Sequence, residues 1–260
     1  MSAFRKESVT VAGTKVVMHR GGTGAPLLYF HGAGVVMNAQ PWMEMLAPHV
    51  DLIVPMHPGM GESDVPTWLD SVPDMAMFYS TMMKEMGLGG IHLMGTSMGG
   101  WIAAELAIIQ PEQLKTLTLA CAAGFDDPSI PKGQTHLWDA RETLRNVIYD
   151  PKLQEQMIAR LPADADSQPQ TIKNKETIRK LTSQGRSGPN LPKWLHRVTV
   201  PTHIIWGEND KLAPIGYADI YKKYLPQSKM TRFKECGHLP YVEKPKEYVE
   251  AIAGFIKEVR

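Results

Sequence analysis

The sequence predicts a doubly wound α/β fold with a mostly parallel, eight-stranded sheet. Eight short apolar segments recur along the 260 residues, and helical patterns separate many of them. From residue 27 onward these segments are nearly continuous apolar runs, as expected for strands that helices cover on both faces. A chain that alternates such strands with helices is typical of a doubly wound sheet.

The first two apolar segments alternate apolar and polar residues more clearly, which suits an antiparallel edge of the sheet. Strands are expected at residues 9–12, 15–19, 27–30, 52–55, 91–94, 117–120, 203–206 and 230–233. The helices between and after them are expected at residues 41–47, 73–86, 98–109, 215–224 and 246–259.

The alternation stops between residues 125 and 197. This stretch is polar, its helical patterns lie at residues 136–149, 152–160 and 171–184, and it contains no convincing strand. We therefore predict an α/β core formed by residues 1–124 and 198–260. Residues 125–197 are predicted to be a helical insertion that lies over the sheet.

Composition excludes several classes of function. The net charge is +1 without a basic block, which argues against nucleic acid or an anionic membrane as a partner. The first residues lack the pattern of a secretory signal, so none is expected, and no apolar run approaches the roughly 20 residues of a transmembrane helix. Two cysteines are too few for a disulfide framework, so a cytoplasmic protein is expected. No metal-ligand spacing and no phosphate-loop pattern is found, so we expect no metal and no cofactor.

Residues 92–107 read HLMGTSMGGWIAAELA, in which a serine stands between glycines where a strand gives way to a helix. A tight turn alone would explain the pattern. In this context, however, a G-x-S-x-G corner is also the signature of a nucleophile elbow, which pushes the hydroxyl of Ser97 out of a strained turn. Glycines at 95 and 99 would let the strand and the helix pass close to each other. We predict that Ser97 is a nucleophile.

A serine nucleophile needs a base and a group that orients the base. His238 is the best base candidate, because it lies on a Gly-led loop directly after the last predicted strand. The orienting acid is expected after a strand between the serine and the histidine. The segment THIIWGENDKLAP supplies Asp210, with Glu208 as a reserve. Asp126 or Asp127, after the preceding strand, is a second reserve.

The oxyanion that forms on attack needs backbone N–H donors. We expect one from Met98, which follows the nucleophile, and the other from Ala33 in the His-Gly-Ala-Gly stretch after the third strand. Further contacts to the substrate are predicted at Gly32, Gly34, Met37, Met60 and Trp138.

Taken together, these motifs resemble the α/β-hydrolase superfamily. The resemblance runs over essentially the whole chain, from HGAG through HPGMGES and GTSMGG to WGENDKLAP and GHLPYVEKP. It implies that residues 125–197 are the helical cap that roofs the pocket in that family. Relatives that use an aspartate nucleophile, the haloalkane dehalogenases and epoxide hydrolases, do not fit a corner that offers Ser97.

The resemblance favours a serine hydrolase that cleaves a small carboxylic ester, lactone or thioester, as carboxylesterases do. The alternative is carbon–carbon hydrolysis as in the meta-cleavage-product hydrolases, which share Ser-Met-Gly-Gly. Those enzymes usually carry Asn and Trp where this chain has Thr96 and Leu239. They also need a cap arginine, for which the candidates are Arg141, Arg145, Arg160, Arg179 and Arg186. A ligand receptor or a lyase on the same fold is less favoured. A homo-oligomer is left open.

Overall fold

All eight predicted strands are present and form one sheet. The computed structural model describes residues 2–34, 36–183, 185 and 187–259, except for the side chain of His136. The strands are β1 Phe4–Val11, β2 Thr14–Gly22, β3 Pro26–Phe30, β4 Asp51–Pro55, β5 Ile91–Thr96, β6 Leu114–Ala120, β7 Thr202–Gly207 and β8 Lys229–Phe233. Their order across the sheet is β1-β2-β4-β3-β5-β6-β7-β8.

The sheet is antiparallel at one edge and parallel everywhere else. β1 pairs antiparallel with β2, and β2 pairs antiparallel with β4. The remaining neighbours, from β4 to β8, run parallel. The prediction of a doubly wound, mostly parallel sheet with an antiparallel edge is confirmed. As a result, β5 to β8 all deliver their carboxyl ends to the same edge of the sheet.

Helices cover both faces of the sheet. The core helices are α1 Pro41–Leu46, α2 Val72–Glu85, α3 Met98–Ile109, α8 Gly216–Tyr224, α9 Pro240–Glu243 and α10 Pro245–Glu258. One buried cluster joins α2, α3 and α8 to one face, and a second joins α1 and α10 to the other. Along β3, Leu28 and Phe30 belong to the first cluster, whereas Leu27 and Tyr29 belong to the second. Strands buried on both faces explain why the sequence shows continuous apolar runs.

The insertion between β6 and β7 is helical, as predicted. It contains α4 Ala140–Val147, α5 Pro151–Ile158, α6 Pro169–Leu181 and the short α7 Leu191–Trp194. α4 begins later than expected because Asp139 caps it, accepting from the Glu142 N–H while the Glu142 side chain bonds back. The predicted end of the third helix at residue 184 lies outside the described residues. α7 and α9 were not predicted, since four residues are too few to show a helical period.

α6 is fixed to the core by packing and by hydrogen bonds. Leu181 belongs to the first core cluster. Thr177 Oγ1 donates to Gly59 O at 2.6 Å, and Lys173 Nζ donates to Gly61 O and Ser63 O. The loop after β4 therefore seats this helix through its main-chain carbonyls. Among the described residues, no helix is long and apolar enough to cross a membrane.

We predict that His203 in β7 makes the fold sensitive to acid. Its Nε2 shares a hydrogen bond with Thr231 Oγ1 at 2.8 Å, but its buried Nδ1 has no partner among the described residues. Burial, and then Lys229, lower the pKa of His203 from 6.5 to about 4. As the pH drops from 6.5 towards 4, the imidazole of His203 is therefore protonated in the unfolded chain and stays neutral in the folded chain. The free energy of unfolding falls over this range.

Urea denaturation between pH 7 and pH 4 measures this effect. In His203→Leu the free energy of unfolding should fall less steeply with decreasing pH. Its slope should be smaller than that of the wild type by about 1 kcal/mol per pH unit. The exposed His196 is the control, and His196→Leu should keep the wild-type slope. Equal slopes in wild type and His203→Leu would contradict the assignment.

Candidate active site

Ser97 forms a one-residue turn between a strand and a helix. β5 ends at Thr96 and α3 begins at Met98, so the strand runs two residues further than the predicted 91–94. The backbone of Ser97 has φ 55° and ψ −120°, a conformation that residues with a side chain rarely adopt. The N–H groups of Gly100, Trp101 and Ala123 all donate to Ser97 O. These bonds hold the strained turn in place and leave the side chain half-buried.

Two glycines are required by close approach. A Cβ on Gly95 would lie 2.1 Å from Gly99 O, and a Cβ on Gly99 would lie 2.1 Å from Phe30 O. Real Cβ atoms do not approach main-chain oxygens so closely. The turn at Ser97 therefore exists only because β3, β5 and α3 meet without side chains between them.

Two main-chain amides flank Ser97 with no acceptor among the described residues. They belong to Met98, at the start of α3, and to Ala33, in the loop after β3. A Cβ on Gly32 would lie 3.1 Å from Ser97 Cβ, so this loop runs directly beside the serine. Unpaired N–H groups near a serine hydroxyl would suit a negative charge that develops there.

A chain of hydrogen bonds through two buried histidines holds this loop. Tyr79 O–H donates to His57 Nδ1 at 2.6 Å, and His57 Nε2–H donates to His31 O at 2.9 Å. The His57 N–H in turn donates to His31 Nε2, and His31 Nδ1–H donates to Gly32 O. Each imidazole therefore donates with one ring nitrogen and accepts with the other, as a neutral ring does.

Burial keeps both rings neutral. It lowers the pKa of His31 from 6.5 to about 4, although the bond to Gly32 opposes the shift. Burial, and then the neighbouring His31, lower the pKa of His57 well below its ordinary value. The two rings lie 4.0 Å apart between centroids. The loop beside Ser97 thus depends on imidazoles that remain uncharged.

Asp210 and His238 form a buried pair at the ends of β7 and β8. His238 Nδ1–H donates to Asp210 Oδ2 at 2.7 Å. Asp210 Oδ1 accepts the N–H groups of Leu212 and Ala213, both at 2.8 Å, so every oxygen of the carboxylate is engaged. His238 Nε2 is buried and has no partner among the described residues. The second nitrogen of the imidazole is therefore free to exchange a proton.

The three reserve acids lie elsewhere. Glu208 is exposed and does not bond to His238. Asp126 pairs with Lys132 at 3.2 Å. Asp127 accepts from Ser129, and this bond lowers the pKa of its carboxyl. Of the four carboxylates considered in the sequence, the structure brings Asp210 to His238.

Cys121, at the end of β6, lies under this pair. Its sulfur is within 4.8 Å of ligand atoms of Asp210 and His238, which makes the three residues a geometric candidate for a cation site. Burial, and then the Asp210 charge, raise the pKa of the Cys121 thiol well above its ordinary value. A protonated thiol is a poor metal ligand, and Asp210 and His238 are bound to each other. The expectation of no metal stays a prediction.

The five predicted substrate contacts lie in different surroundings. Gly32 is beside Ser97, and a side chain on Gly34 would meet open space. Met37 O accepts from His19, Met60 is fully buried in the first core cluster, and Trp138 packs over Gly133. No hydrogen bond joins Met37, Met60 or Trp138 to Ser97 or His238 among the described residues. Their role stays a prediction.

A cleft of about 690 Å³ opens between the insertion and the loop after β7, residues 208–211, which we call the acid loop. α4 and α5 form one wall, to which Arg145 and Gln154 contribute, and residues 208–211 form the other. Of the five cap arginines considered in the sequence, Arg145 lines this cleft. Arg186 lies outside the described residues.

The family resemblance places His57 near the rim of the site, with a structural role left equally open, whereas sequence reasoning assigned no role near the site to Tyr79, Cys121 or Glu243. His57 stands in the HPGMGES stretch and Glu243 follows His238 by five residues, so their positions carried a local signal. Tyr79 and Cys121 reach the site only through the tertiary fold. No sequence pattern short of the fold itself indicates them.

Comparisons with known proteins identify the family and the fold. A family model described as the alpha/beta hydrolase family matches residues 27–251. Lipase 1 of Psychrobacter immobilis is 28% identical over 268 residues, covering 96% of this chain and 83% of the lipase. The 2-hydroxymuconate semialdehyde hydrolase of Pseudomonas sp. strain CF600 is 23% identical over 266 residues, covering 96% of this chain and 93% of that hydrolase.

A solved structure shows the same fold. The 2-hydroxy-6-oxo-6-phenylhexa-2,4-dienoate hydrolase of Rhodococcus sp. strain RHA1 superposes with a TM-score of 0.85, covering 99% of this chain and all of that chain. The two sequences are 18% identical, so this likeness speaks for the fold alone.

We predict that Gly99→Ala disrupts the turn at Ser97. The new methyl group would overlap Phe30 O and His31 O, and overpacking of this kind lowers the free energy of unfolding by about 1–3 kcal/mol. Gly254→Ala in α10 is the matched control, because its Cβ meets nothing within 4 Å. That variant should gain about 0.5–1 kcal/mol in urea denaturation. A Gly99→Ala protein as stable as the wild type would contradict the close approach.

Proposed function

We propose that this chain, which belongs to the alpha/beta hydrolase family, is a serine hydrolase that cleaves a small carboxylic ester, lactone or thioester through an acyl-enzyme. One observation carries the proposal: a buried aspartate–histidine pair with a free imidazole nitrogen lies at the sheet edge where a strained turn presents Ser97. That combination supplies a base, its orienting acid and a nucleophile.

In the proposed mechanism, His238 Nε2 takes the proton of Ser97 as the hydroxyl oxygen attacks the carbonyl carbon. The imidazolium then gives that proton to the leaving alkoxide, and the acyl group stays on Ser97. Water enters, His238 takes its proton, and the acyl-enzyme is hydrolysed. Catalytic hydrogen bonds are often long before substrate binds, which fits a His238 Nε2 that has no partner among the described residues.

Asp210 is proposed to orient the base and to stabilise its charged form. The 2.7 Å bond to Nδ1 holds the tautomer in which Nε2 is free to accept a proton. Two backbone N–H groups fix the other carboxylate oxygen, so the acid is held in position before the imidazolium forms. Burial of both side chains strengthens their interaction in the charged state.

The amides of Met98 and Ala33 are proposed as the oxyanion donors. They flank Ser97 and carry no competing acceptor among the described residues. Preorganised donors of this kind contribute about 3 kcal/mol each to the stability of the transition state. The neutral His31–His57 pair supports the loop that carries Ala33, and so preserves this arrangement.

Substrate choice is proposed to lie with residues 125–197, acting as a cap over the site. Lipases among the relatives, such as those from Psychrobacter immobilis and Moraxella sp., support ester hydrolysis as the first candidate. Cys121 and Cys236 are free and buried, which suits a reducing compartment, and we keep the cytoplasm as the proposed location. The partner we propose is a small-molecule ester.

Carbon–carbon hydrolysis is the second candidate. The relative from Pseudomonas sp. named 2-hydroxymuconate semialdehyde hydrolase favours it, as does the position of Arg145 on the cleft wall. The same Ser97, Asp210 and His238 would serve that chemistry. Thr96 and Leu239 depart from that branch, so ester hydrolysis stays first.

We predict that Ser97→Ala and His238→Ala each lower kcat for p-nitrophenyl esters by about 10³-fold or more, since the three residues act as a unit. Asp210→Asn should lose less than either, because Ser97 and the imidazole are both retained, although the amide no longer holds the imidazole in the tautomer that accepts a proton at Nε2. Circular dichroism checks that each variant folds, and a fluorophosphonate probe should label Ser97 in the wild type only. Full turnover in Ser97→Ala or His238→Ala would refute the assignment of these residues.

A substrate panel separates the two hydrolytic candidates. We expect kcat/KM for at least one p-nitrophenyl ester or lactone to exceed that for a vinylogous diketone by about tenfold or more. Both reactions are followed by absorbance with the same enzyme stock. A reversed order would promote carbon–carbon hydrolysis, and tight ligand binding without any turnover would favour a receptor.

A further inference from the structure

We propose that Glu243 is a latch that couples closure of a two-helix lid to the position of His238. The lid is the segment 140–158, which contains α4 and α5. Glu243 ends the short helix α9, five residues after His238. It acts through the main chain and is a positioning residue. The part of the inference that concerns catalysis rests on the proposed function, whereas the link between lid and loop does not.

One carboxylate bridges the lid and the loop that carries the base. Glu243 Oε1 accepts the Gly237 N–H at 2.7 Å, directly before His238. Glu243 Oε2 accepts the N–H groups of Tyr149 and Asp150, at 2.7 and 3.3 Å, between the two lid helices. Charge-assisted bonds of this kind are stronger than neutral ones.

A second bond joins the same two segments directly. The His238 N–H donates to Val147 O, at the end of α4, at 2.8 Å. A Cβ on Gly237 would lie 2.6 Å from Val147 O and 3.1 Å from Tyr149 N. The main chain of the base loop therefore touches the main chain of the lid. Both backbones must separate for the lid to open.

Apart from these bonds, the described residues of the lid make no polar contact with the core. Among the described residues, every other hydrogen bond or ion pair of residues 140–158 stays within the insertion. Val147 and Ile148 are buried, but neither belongs to the two core clusters. α6 is different, because Leu181 packs in the core.

An open seam lies next to the latch. The cleft of about 690 Å³ separates the lid from the acid loop, with Tyr149 and Pro151 on its lid side. The lid and the acid loop are therefore not packed against each other along this line. Opening the lid at Glu243 would widen a gap that already exists, and it would release Gly237 and His238 from their acceptors. The base would then be held correctly only while the lid is closed.

Hydrogen exchange on the wild-type chain is the primary test. If one latch holds both segments, the amides of Gly237 and His238 should exchange through the same opening event as those of Tyr149 and Asp150. Their exchange rates should then change together as urea is raised below the unfolding transition. Segments that respond independently would overturn the latch.

Two variants and a matched control sharpen the test. Glu243→Ala removes both acceptor oxygens, so exchange in both segments should accelerate by about tenfold or more. Glu243→Gln keeps one carbonyl oxygen, so at least one segment should accelerate. Glu235→Gln is the control, because it makes the same chemical change on the same loop. The Glu235 side chain is exposed and has no hydrogen bond or ion pair among the described residues, so hydrogen exchange in both segments should keep its wild-type rate. Unchanged exchange in Glu243→Ala would overturn the proposal, and if that variant does not fold, the wild-type measurement decides.

Ester turnover tests the catalytic part. Glu243→Ala should lower kcat by about tenfold at a temperature where the variant is fully folded, while Glu235→Gln keeps the wild-type kcat and KM. A stabilising residue without a positioning role would lower the melting temperature and leave kcat unchanged, which would overturn the coupling to His238. A wild type that turns over no ester would refute the proposed function, and the exchange results would still decide whether the latch exists.

Discussion

The absence of space around Ser97 is the constraint on which the site depends. β5 must pass to α3 through one residue, and the glycines at 95 and 99 leave no room for a side chain between that turn and the neighbouring strand. The strained backbone of Ser97 costs on the order of 1–3 kcal/mol. Three N–H groups that donate to Ser97 O, together with the packing of α3 in the first core cluster, offset that cost. The position of the half-buried Ser97 side chain is a result of this packing.

The rest of the site follows from parallel strands that end at one edge. Ser97, Cys121, Asp210 and His238 are far apart in the chain, yet each follows a different strand of the β5-β6-β7-β8 group. Adjacent strands hold their ends at a fixed spacing, so the loops need to be only a few residues long. Beside them, the loop after β3 is rigid for another reason. Its carbonyl at His31 is bound by the buried ring of His57.

The fold could be predicted because its signals are local and repeated. Continuous apolar runs mark strands buried on both faces, and β3 shows why, since successive residues face different core clusters. The approach of Asp210 to His238 could be predicted, because each residue follows a predicted strand. The bonds of Glu243 could not be predicted, because they depend on how the lid packs, and the lid has no apolar period that fixes its position. The His57–Tyr79 bond likewise joins residues that only the tertiary fold brings together.

The thiol under the aspartate–histidine pair has a consequence for the chemical durability of the protein. Oxidants and alkylating agents attack the thiolate, and a buried cysteine with a raised pKa has almost none at neutral pH. Both Cys121 and Cys236 are of this kind, and both are adjacent to the residues that would move protons. The thiols of Cys121 and Cys236 therefore lie close to the aspartate–histidine pair but are protected from oxidation by burial. Loss of activity in an oxidising environment would have to begin elsewhere, at exposed groups such as Met77.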